Sequence, residues 1–230
     1  MGYYRTHQKK FQMKRKVVAI VPMKLNNQRL PGKNIMCFDG GDPLCCYILN
    51  TLKKVSEIEE IYVYCSNPEI KNYLPEGIIY KKRSEELDRD TTSMNEVLSA
   101  FADEVEADVY VMTHATSPFV SSDSIRKGLL SVLSGEHDSA FAVKRIQKFL
   151  WKGDEPLNYN LDKIARTQDL PPIYEETSGF YIYRRPIIKD MNRRIGVNPI
   201  KIEVSDMEAV DIDEKSDFDL ANMIYKNFIK

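Results

Sequence analysis

Residues 17–21, with the sequence VVAIV, form a continuous apolar run that limits the possible folds more than any other feature of the sequence. A strand with one face in solvent alternates apolar and polar residues, whereas a strand covered on both faces is apolar throughout. Strands of the second kind belong mostly to parallel sheets with helices packed on both sides. The run therefore predicts a central strand of an α/β protein.

Apolar runs and amphipathic segments alternate along the rest of the chain. The further predicted strands are residues 61–65, 78–80, 109–113, 140–143, 179–183 and 200–204. The predicted helices are residues 43–55, 93–105, 125–133 and 216–228. Ser93 and Glu96 form the pattern of a capping box at the start of the second helix. This alternation predicts a three-layer, Rossmann-like α/β fold with a mainly parallel sheet.

The alternation is interrupted between residues 145 and 177, which contain Trp151, Gly153 and three prolines. We interpret this stretch as an excursion from the sheet, in the form of a hairpin, an arm or a lid. The chain length of 230 residues suits one domain. We therefore predict a single domain at 17–230, preceded by a basic flexible tail at 1–16.

The composition excludes several classes of protein. The net charge is -1, so the chain lacks the basic excess that is typical of nucleic-acid-binding proteins. There are four cysteines, no CxxC pair and three histidines, which disfavours a zinc site and favours buried free thiols in a reducing cytoplasm. The sequence has no apolar run near the ~18 residues that a membrane helix requires.

A basic loop follows the first strand and reads KLNNQRLPGKN from residue 24 to residue 34. It carries Lys24, Arg29 and Lys33 without an acidic residue, and a Pro-Gly turn lies at its centre. It matches neither a Walker A loop nor a dinucleotide-binding glycine fingerprint. Cations at the carboxyl end of a parallel strand fit an anionic ligand such as a triphosphate. The alternative is a basic turn that is simply solvated.

Asp211 and Asp213 flank Ile212 near the end of the chain. In an extended segment the two carboxylates point to one face and the isoleucine to the other. Such a pair suits Mg²⁺, which prefers oxygen ligands and often bridges to phosphate. Asp217 and Asp219, by contrast, are explained as acidic residues in the first turn of a helix that begins after Ser216.

Five motifs occur here in a fixed order: RLPGKN, RSEELDRDT, TSP, QDLPP followed by GFYIY, and DIDEKSDFDLA. Together they make the sequence similar to the acylneuraminate cytidylyltransferases and to their 3-deoxy-manno-octulosonate cytidylyltransferase relatives. The resemblance extends from about residue 17 to residue 221. It implies a nucleotidyltransferase fold in which the arm at about 145–177 forms a homodimer.

The resemblance also implies roles for individual residues. Asp90 and Thr91 match the end of the second motif. The implied nucleotide-binding residues are Met23, Lys24, Arg29, Lys33, Asn34, Arg83 and Thr92. The implied sugar-binding residues are His114, Thr116, Ser117, Arg166 and Gln168. Asp211 and Asp213 are the implied metal ligands, with Mg²⁺ as the cofactor, and Lys24, Lys33 and Asp213 are the implied catalytic residues.

The implied reaction is Mg²⁺-dependent transfer of CMP from CTP to a sialic-acid-like sugar acid. Pyrophosphate would be released, and the product would serve surface polysaccharide synthesis in the cytoplasm. One alternative is a nucleotidyltransferase for a different sugar or nucleotide. Another is a nucleotide-binding homologue without catalytic activity.

The sequence departs from the family pattern at Gln28, His114, Thr167 and the pair Glu175 and Glu176. Most of these positions lie on the sugar side, where two added carboxylates would repel a bound carboxylate. We therefore hypothesise that the preferred substrate is not N-acetylneuraminate and is a neutral or amino-bearing sugar. The alternative is that Arg166 turns towards the sugar while the glutamates point to solvent.

Overall fold

The computed structural model describes residues 15–230, so most of the predicted tail at 1–16 lies outside the described residues. The strands are β1 (Val17–Met23), β2 (Glu60–Cys65), β3 (Ile79–Lys82), β4 (Val109–Thr113), β5 (Ser139–Ile146), β6 (Trp151–Lys152), β7 (Glu155–Pro156), β8 (Ile173–Arg184) and β9 (Pro199–Glu203). The α-helices are α1 (Leu44–Lys53), α2 (Met94–Glu104), α3 (Ser122–Ser134), α4 (Arg185–Met191) and α5 (Lys215–Ile224).

Seven strands form one sheet in the order β3-β2-β1-β4-β8-β5-β9. β1 lies between β2 and β4 and is parallel to both, and β5 is parallel to β9. Only β8 is antiparallel to its neighbours, β4 and β5. The prediction of a mainly parallel sheet is therefore confirmed.

Helices cover both faces of this sheet. Along β1 the side chains of Val17, Ala19 and Val21 pack in one core with α1 and α3. Val18 and Ile20 point to the opposite face and pack in a second core with α2 and α4. Every residue of β1 is buried, as the continuous apolar run predicts. The three-layer architecture follows directly from this two-sided burial.

The predicted elements match the observed ones in order, and several differ at their ends: α3, for example, begins at Ser122 rather than at Ile125. Helix α4 begins with Arg185-Pro186 and was not predicted. Helix α5 begins one residue earlier than expected, because Glu214 rather than Ser216 is its N-cap and forms a capping box with Asp217. β8 is longer than predicted and pairs with β5 as far as Ile146 and Ile173. The excursion from the sheet is thus confined to residues 147–172, which include the β6–β7 hairpin.

The prediction of buried free thiols holds for three of the four cysteines. Cys45, Cys46 and Cys65 are buried free thiols, whereas Cys37 is exposed. None of the helices within residues 15–230 is both long and apolar enough to cross a membrane.

Candidate active site

A cavity of about 340 Å³ opens at the carboxyl ends of β1 and β4. This is the edge where parallel α/β sheets bind their ligands. Its lining includes the predicted site residues Met23, Lys24, Arg29, Lys33, Asn34, Arg83, Thr92, His114, Thr116, Asp211 and Asp213. The fold thus brings four segments that are far apart in the sequence to one place.

The basic loop after β1 has a defined conformation. Gly32 adopts a left-handed backbone with φ of 68°, and a 3₁₀ turn follows at Lys33–Ile35. The Asn34 side-chain amide donates to the carbonyl oxygen of Lys24 at 2.8 Å, which joins the two ends of the loop. Leu30 anchors the loop in a small core that includes Ile212 and α5. This internal anchoring disfavours the alternative of a freely solvated turn.

Lys33 is the most informative cation of this loop because it is only 8% exposed. Its Nζ donates to the carbonyl oxygen of Ile212 at 2.7 Å and to Asp213 Oδ1 at 3.1 Å. Arg29 Nη2 lies 2.7 Å from the same Oδ1. One carboxylate oxygen therefore holds two cations at the cavity.

The acidic pair has the predicted arrangement. Ile212 is fully buried, and its backbone N–H donates to the carbonyl oxygen of Thr116 at 2.9 Å. Asp211 and Asp213 both line the cavity. Asp211 Oδ1 is buried and has no hydrogen-bond partner among residues 15–230. A buried acceptor without a donor is costly, so this oxygen is suited to a cation.

Asp211 and Asp213 fit a magnesium ion only if a bound substrate supplies further oxygen ligands. Within the described part of the chain there is no group of three or more His, Cys, Asp or Glu side chains that could hold a metal. Mg²⁺ commonly takes one or two protein carboxylates together with substrate phosphates. Asp211 and Asp213 are such a pair, and their role as metal ligands stays a prediction.

The opposite wall of the cavity is built on Arg83, which is 3% exposed and forms a close ion pair with Asp88. Ser66 Oγ also donates to Asp88. Lys24 Nζ donates to the backbone carbonyl of Asp88 at 2.8 Å. Asp88 therefore holds both Arg83 and Lys24 in place. Sequence reasoning missed Asp88, although it lies within the RSEELDRDT motif. The loop that carries the RSEELDRDT motif is therefore an ordered wall of the cavity.

Gln28, the first departure from the family pattern, contacts the same loop. Its Nε2 donates to Asp90 Oδ2 at 2.6 Å, and Lys24 Nζ lies 3.7 Å from Asp90 Oδ1. Gln28 thus provides a neutral donor where the family has a lysine. Thr92 lines the cavity, and its hydroxyl donates to the carbonyl oxygen of Glu86 at 3.4 Å.

Only some of the residues predicted to contact the sugar lie at the cavity. His114 and Thr116 line the cavity, whereas Ser117 is buried and donates its N–H to the carbonyl oxygen of His114. Arg166 is exposed and makes two hydrogen bonds to Asp169, at 2.7 and 3.0 Å. Gln168 is also exposed, and neither of these arm residues lines the cavity of its own chain. Their contact with a sugar stays a prediction.

Beside His114 lies a cluster of Arg194, Tyr181 and Glu176, of which only Glu176 had been singled out from the sequence. The Arg194 guanidinium lies over the Tyr181 ring at 3.8 Å, and Nη2 donates to the Tyr181 hydroxyl at 3.1 Å. The Tyr181 hydroxyl in turn donates to Glu176. Arg194 lies between α4 and β9 in no recognisable motif, so no local signal identified it.

His114 is expected to remain neutral at physiological pH. Burial, together with the positive charges of Arg194 and Lys33, lowers its pKa to about 4 against the opposing effect of Asp213. In the unfolded chain a histidine has a pKa of about 6.5. The unfolded state therefore binds more protons than the folded state between pH 6.5 and 4. The free energy of unfolding should fall as the pH falls through this range.

We predict that the fall in the free energy of unfolding between pH 7.5 and pH 5 is about 1–2 kcal/mol smaller in His114→Gln than in the parent. Urea unfolding of the parent and the variant at pH 7.5 and pH 5 measures the difference. The comparison isolates His114 because the other histidines are common to both proteins. An equal loss of stability in the two proteins between these pH values would contradict the prediction.

Comparison with known proteins places this geometry in context. A family model described as cytidylyltransferase matches residues 18–229. The chain is 26% identical over 186 residues to N-acylneuraminate cytidylyltransferase of Oncorhynchus mykiss, an alignment that covers 76% of this chain and 43% of that protein. The chain thus spans less than half the length of this relative.

Two further comparisons cover nearly the whole length of both proteins. CMP-N,N'-diacetyllegionaminic acid synthase of Legionella pneumophila is 26% identical over 226 residues, which is 91% of this chain and 96% of that one. A solved structure of CMP:2-keto-3-deoxy-manno-octonic acid synthetase complexed with CTP has a TM-score of 0.69 at 15% identity. It covers 92% of this chain and 98% of its own, and it shows a shared fold.

Proposed function

Because the chain belongs to the cytidylyltransferase family, we propose that it transfers CMP from CTP to a sialic-acid-like sugar acid and releases pyrophosphate. Family membership confirms the resemblance inferred from the motifs and makes the protein a nucleotidyltransferase. The observation that carries the proposal is the meeting of the loop cations with Asp211 and Asp213 in one cavity. The two relatives compared above are named for sugar acids, which favours an acidic over a neutral substrate.

In the proposed reaction a sugar hydroxyl attacks the α-phosphorus of CTP. The new P–O bond forms as the bond to the β-phosphate oxygen breaks, pyrophosphate leaves with that electron pair, and the hydroxyl proton is released to water. Lys24, Arg29 and Lys33 would stabilise the negative charge of the phosphates, so catalysis would rest on positioning and electrostatics. Asp211 and Asp213 would hold Mg²⁺, which when bound neutralises phosphate charge.

The alternative of a non-catalytic homologue is disfavoured by the acidic pair. Asp211 retains a buried oxygen without a donor among the described residues, which costs stability unless a ligand uses it. We propose further that the reaction takes place in the cytoplasm and supplies surface polysaccharide synthesis. The buried free thiols of Cys45, Cys46 and Cys65 support a reducing compartment.

Pyrophosphate release tests the proposed function. The purified protein is incubated with Mg²⁺ and each of CTP, GTP, UTP and ATP against a panel of sugar acids and neutral sugars. We expect release only with CTP and an acid of the sialic class. Release with a different nucleotide, or with neutral sugars alone, would contradict the proposal. The panel includes N-acetylneuraminate, and a kcat/KM of ~10⁴ M⁻¹s⁻¹ or above for it would refute the hypothesis that this acid is not preferred.

We propose that the arm at residues 147–172 joins two chains in a homodimer. It exposes an unusual number of large apolar side chains for so short a segment: Phe149, Trp151, Leu157, Leu161 and Ile164. A concentration of exposed apolar side chains is typical of an interaction surface. In such a dimer the exposed Arg166 and Gln168 could reach the cavity of the partner.

Light scattering at micromolar concentration is expected to give twice the chain mass of 26.6 kDa. Replacing Trp151 and Ile164 together by serine should shift the protein towards the monomer. Phe228→Ser is the matched control, because Phe228 is 74% exposed but lies outside the arm. A parent protein that is monomeric under these conditions would rule out the dimer.

A further inference from the structure

A second depression, of about 440 Å³, lies beside the active-site cavity. It is lined by Ser93, Met94, Asn95, Arg193, Arg194, Ile195 and Gly196. Met94 also lines the first cavity, so the two depressions are adjacent. The lining of the second depression contains two arginines and no acidic residue, which favours the binding of an anionic group.

Of these two arginines, Arg194 is held in a fixed orientation. Its guanidinium stacks on the Tyr181 ring, and its only hydrogen bonds within residues 15–230 are made by Nη2, to Tyr181 and Glu176. The Nε and Nη1 donors are thus left for a ligand. Arg193, its neighbour, contacts only the sulfur of Met191 among the side chains described, at 3.6 Å.

The nearby carboxylate of Glu176 does not saturate Arg194. Its Oε1 lies 3.5 Å from Nη2, a long contact, and the same oxygen already accepts a hydrogen bond from the Tyr181 hydroxyl. Glu175 points to the opposite face of β8, because successive residues of a strand alternate. Only Glu176 is therefore placed to repel a bound carboxylate, and its charge is partly neutralised by Arg194.

The position of Arg194 relates it to the sugar side of the site rather than to the phosphates. Its charge acts on His114, which lines the first cavity beside Thr116. The phosphate-binding candidates Lys24 and Lys33 belong to the loop after β1 and contact other acids. Arginine is suited to this position because its planar fork can bind a carboxylate through two parallel hydrogen bonds.

We propose that Arg194 binds the carboxylate of the sugar acid and thereby determines specificity for an acidic substrate. This inference rests on the proposed function, since it assigns one group of that substrate to one side chain. It also gives this chain a carboxylate-binding residue of its own, independent of Arg166 on the arm.

Steady-state kinetics with CTP and the best sugar acid of the panel provide the test. Arg194→Ala should raise the KM for the sugar acid and lower kcat/KM for it by about 10–100-fold, the range for a lost hydrogen bond between charged groups. The KM for CTP should change by less than about twofold if the two sites are separate. Arg194→Lys should recover part of the loss, because it restores the charge without the fork.

Arg126→Ala is the control, since Arg126 is an exposed arginine of α3 that pairs with Glu57 and lines neither depression, and this variant should behave like the parent. A second comparison removes the charge from the substrate instead, by use of the carboxamide of the same sugar. The parent should discriminate strongly against the carboxamide, and Arg194→Ala should discriminate little. Arg194→Gln, which keeps a donor near Tyr181, replaces the alanine variant if that variant does not fold.

Two outcomes overturn the inference in different ways. If the parent is active and Arg194→Ala keeps the parental KM and discrimination, Arg194 does not bind the carboxylate, and the proposed function stands. If the parent releases no pyrophosphate with CTP and any sugar acid, the proposed function itself fails, and this inference fails with it.

Discussion

Asp213→Asn is expected to fold like the parent and to lose at least about 100-fold in turnover, the scale for removing a charge-stabilising group. The Asp213 carboxylate holds Lys33 at 3.1 Å and Arg29 at 2.7 Å, and with Asp211 it is the proposed ligand of Mg²⁺. Asparagine keeps the shape of the side chain and removes its charge. Pyrophosphate release at saturating CTP, sugar and Mg²⁺ measures the loss.

Asp219→Asn is the matched control for this prediction. Asp219 is an exposed acid on the following helix that pairs with Lys215 and does not line the cavity. Its replacement should leave turnover unchanged. Turnover of Asp213→Asn equal to that of the parent would exclude both the metal role and the catalytic role of Asp213.

Arg83→Met is expected to lower the free energy of unfolding by about 3–5 kcal/mol in the absence of any nucleotide. Arg83 is 3% exposed, and its partner Asp88 is also largely buried. Methionine fills much of the same space but leaves the Asp88 charge with the Ser66 hydroxyl as its remaining side-chain donor. Removing one member of a buried ion pair is costly because the other charge stays buried without compensation.

Urea unfolding followed by circular dichroism measures this change. Arg89→Met is the control, because Arg89 pairs with Glu86 in a contact where both side chains are well exposed. Exposed pairs contribute little, so this variant should differ from the parent by less than about 1 kcal/mol. If Arg83→Met and Arg89→Met are equally stable, the Arg83–Asp88 pair is not a structural part of the cavity wall.

The regular elements were predictable because burial imposes a period on the sequence. β1 is apolar at every position since helices cover both of its faces, and α2 shows its capping box directly in the sequence. The polar start of β8 was not predictable in this way. Glu175 and Glu176 are held in the strand by backbone pairing with Lys144 and Val143 of β5, and backbone pairing leaves no hydrophobic pattern.

The candidate site was predictable as far as its motifs lie at the ends of parallel strands. The sheet gathers those ends at one edge, which is why Lys33, Arg83 and Asp213 meet in one cavity. Arg166 was predicted from the same motifs, but it pairs with Asp169 on the arm. Arg194, outside every motif, instead stacks on Tyr181 beside the cavity.

The sequence alone was enough to predict the layered α/β architecture, the family, and the edge of the sheet at which the candidate cavity lies. The contacts between charged side chains, such as Lys33 with Asp213 180 positions further along the chain, became apparent from the folded chain. The physical reason is that strand and helix patterns arise from local periodicity and burial, whereas a contact between charges depends on the distance between folded segments. No local pattern encodes that distance, so the orientation of Arg194 and the buried pair of Arg83 with Asp88 became visible only in the folded chain.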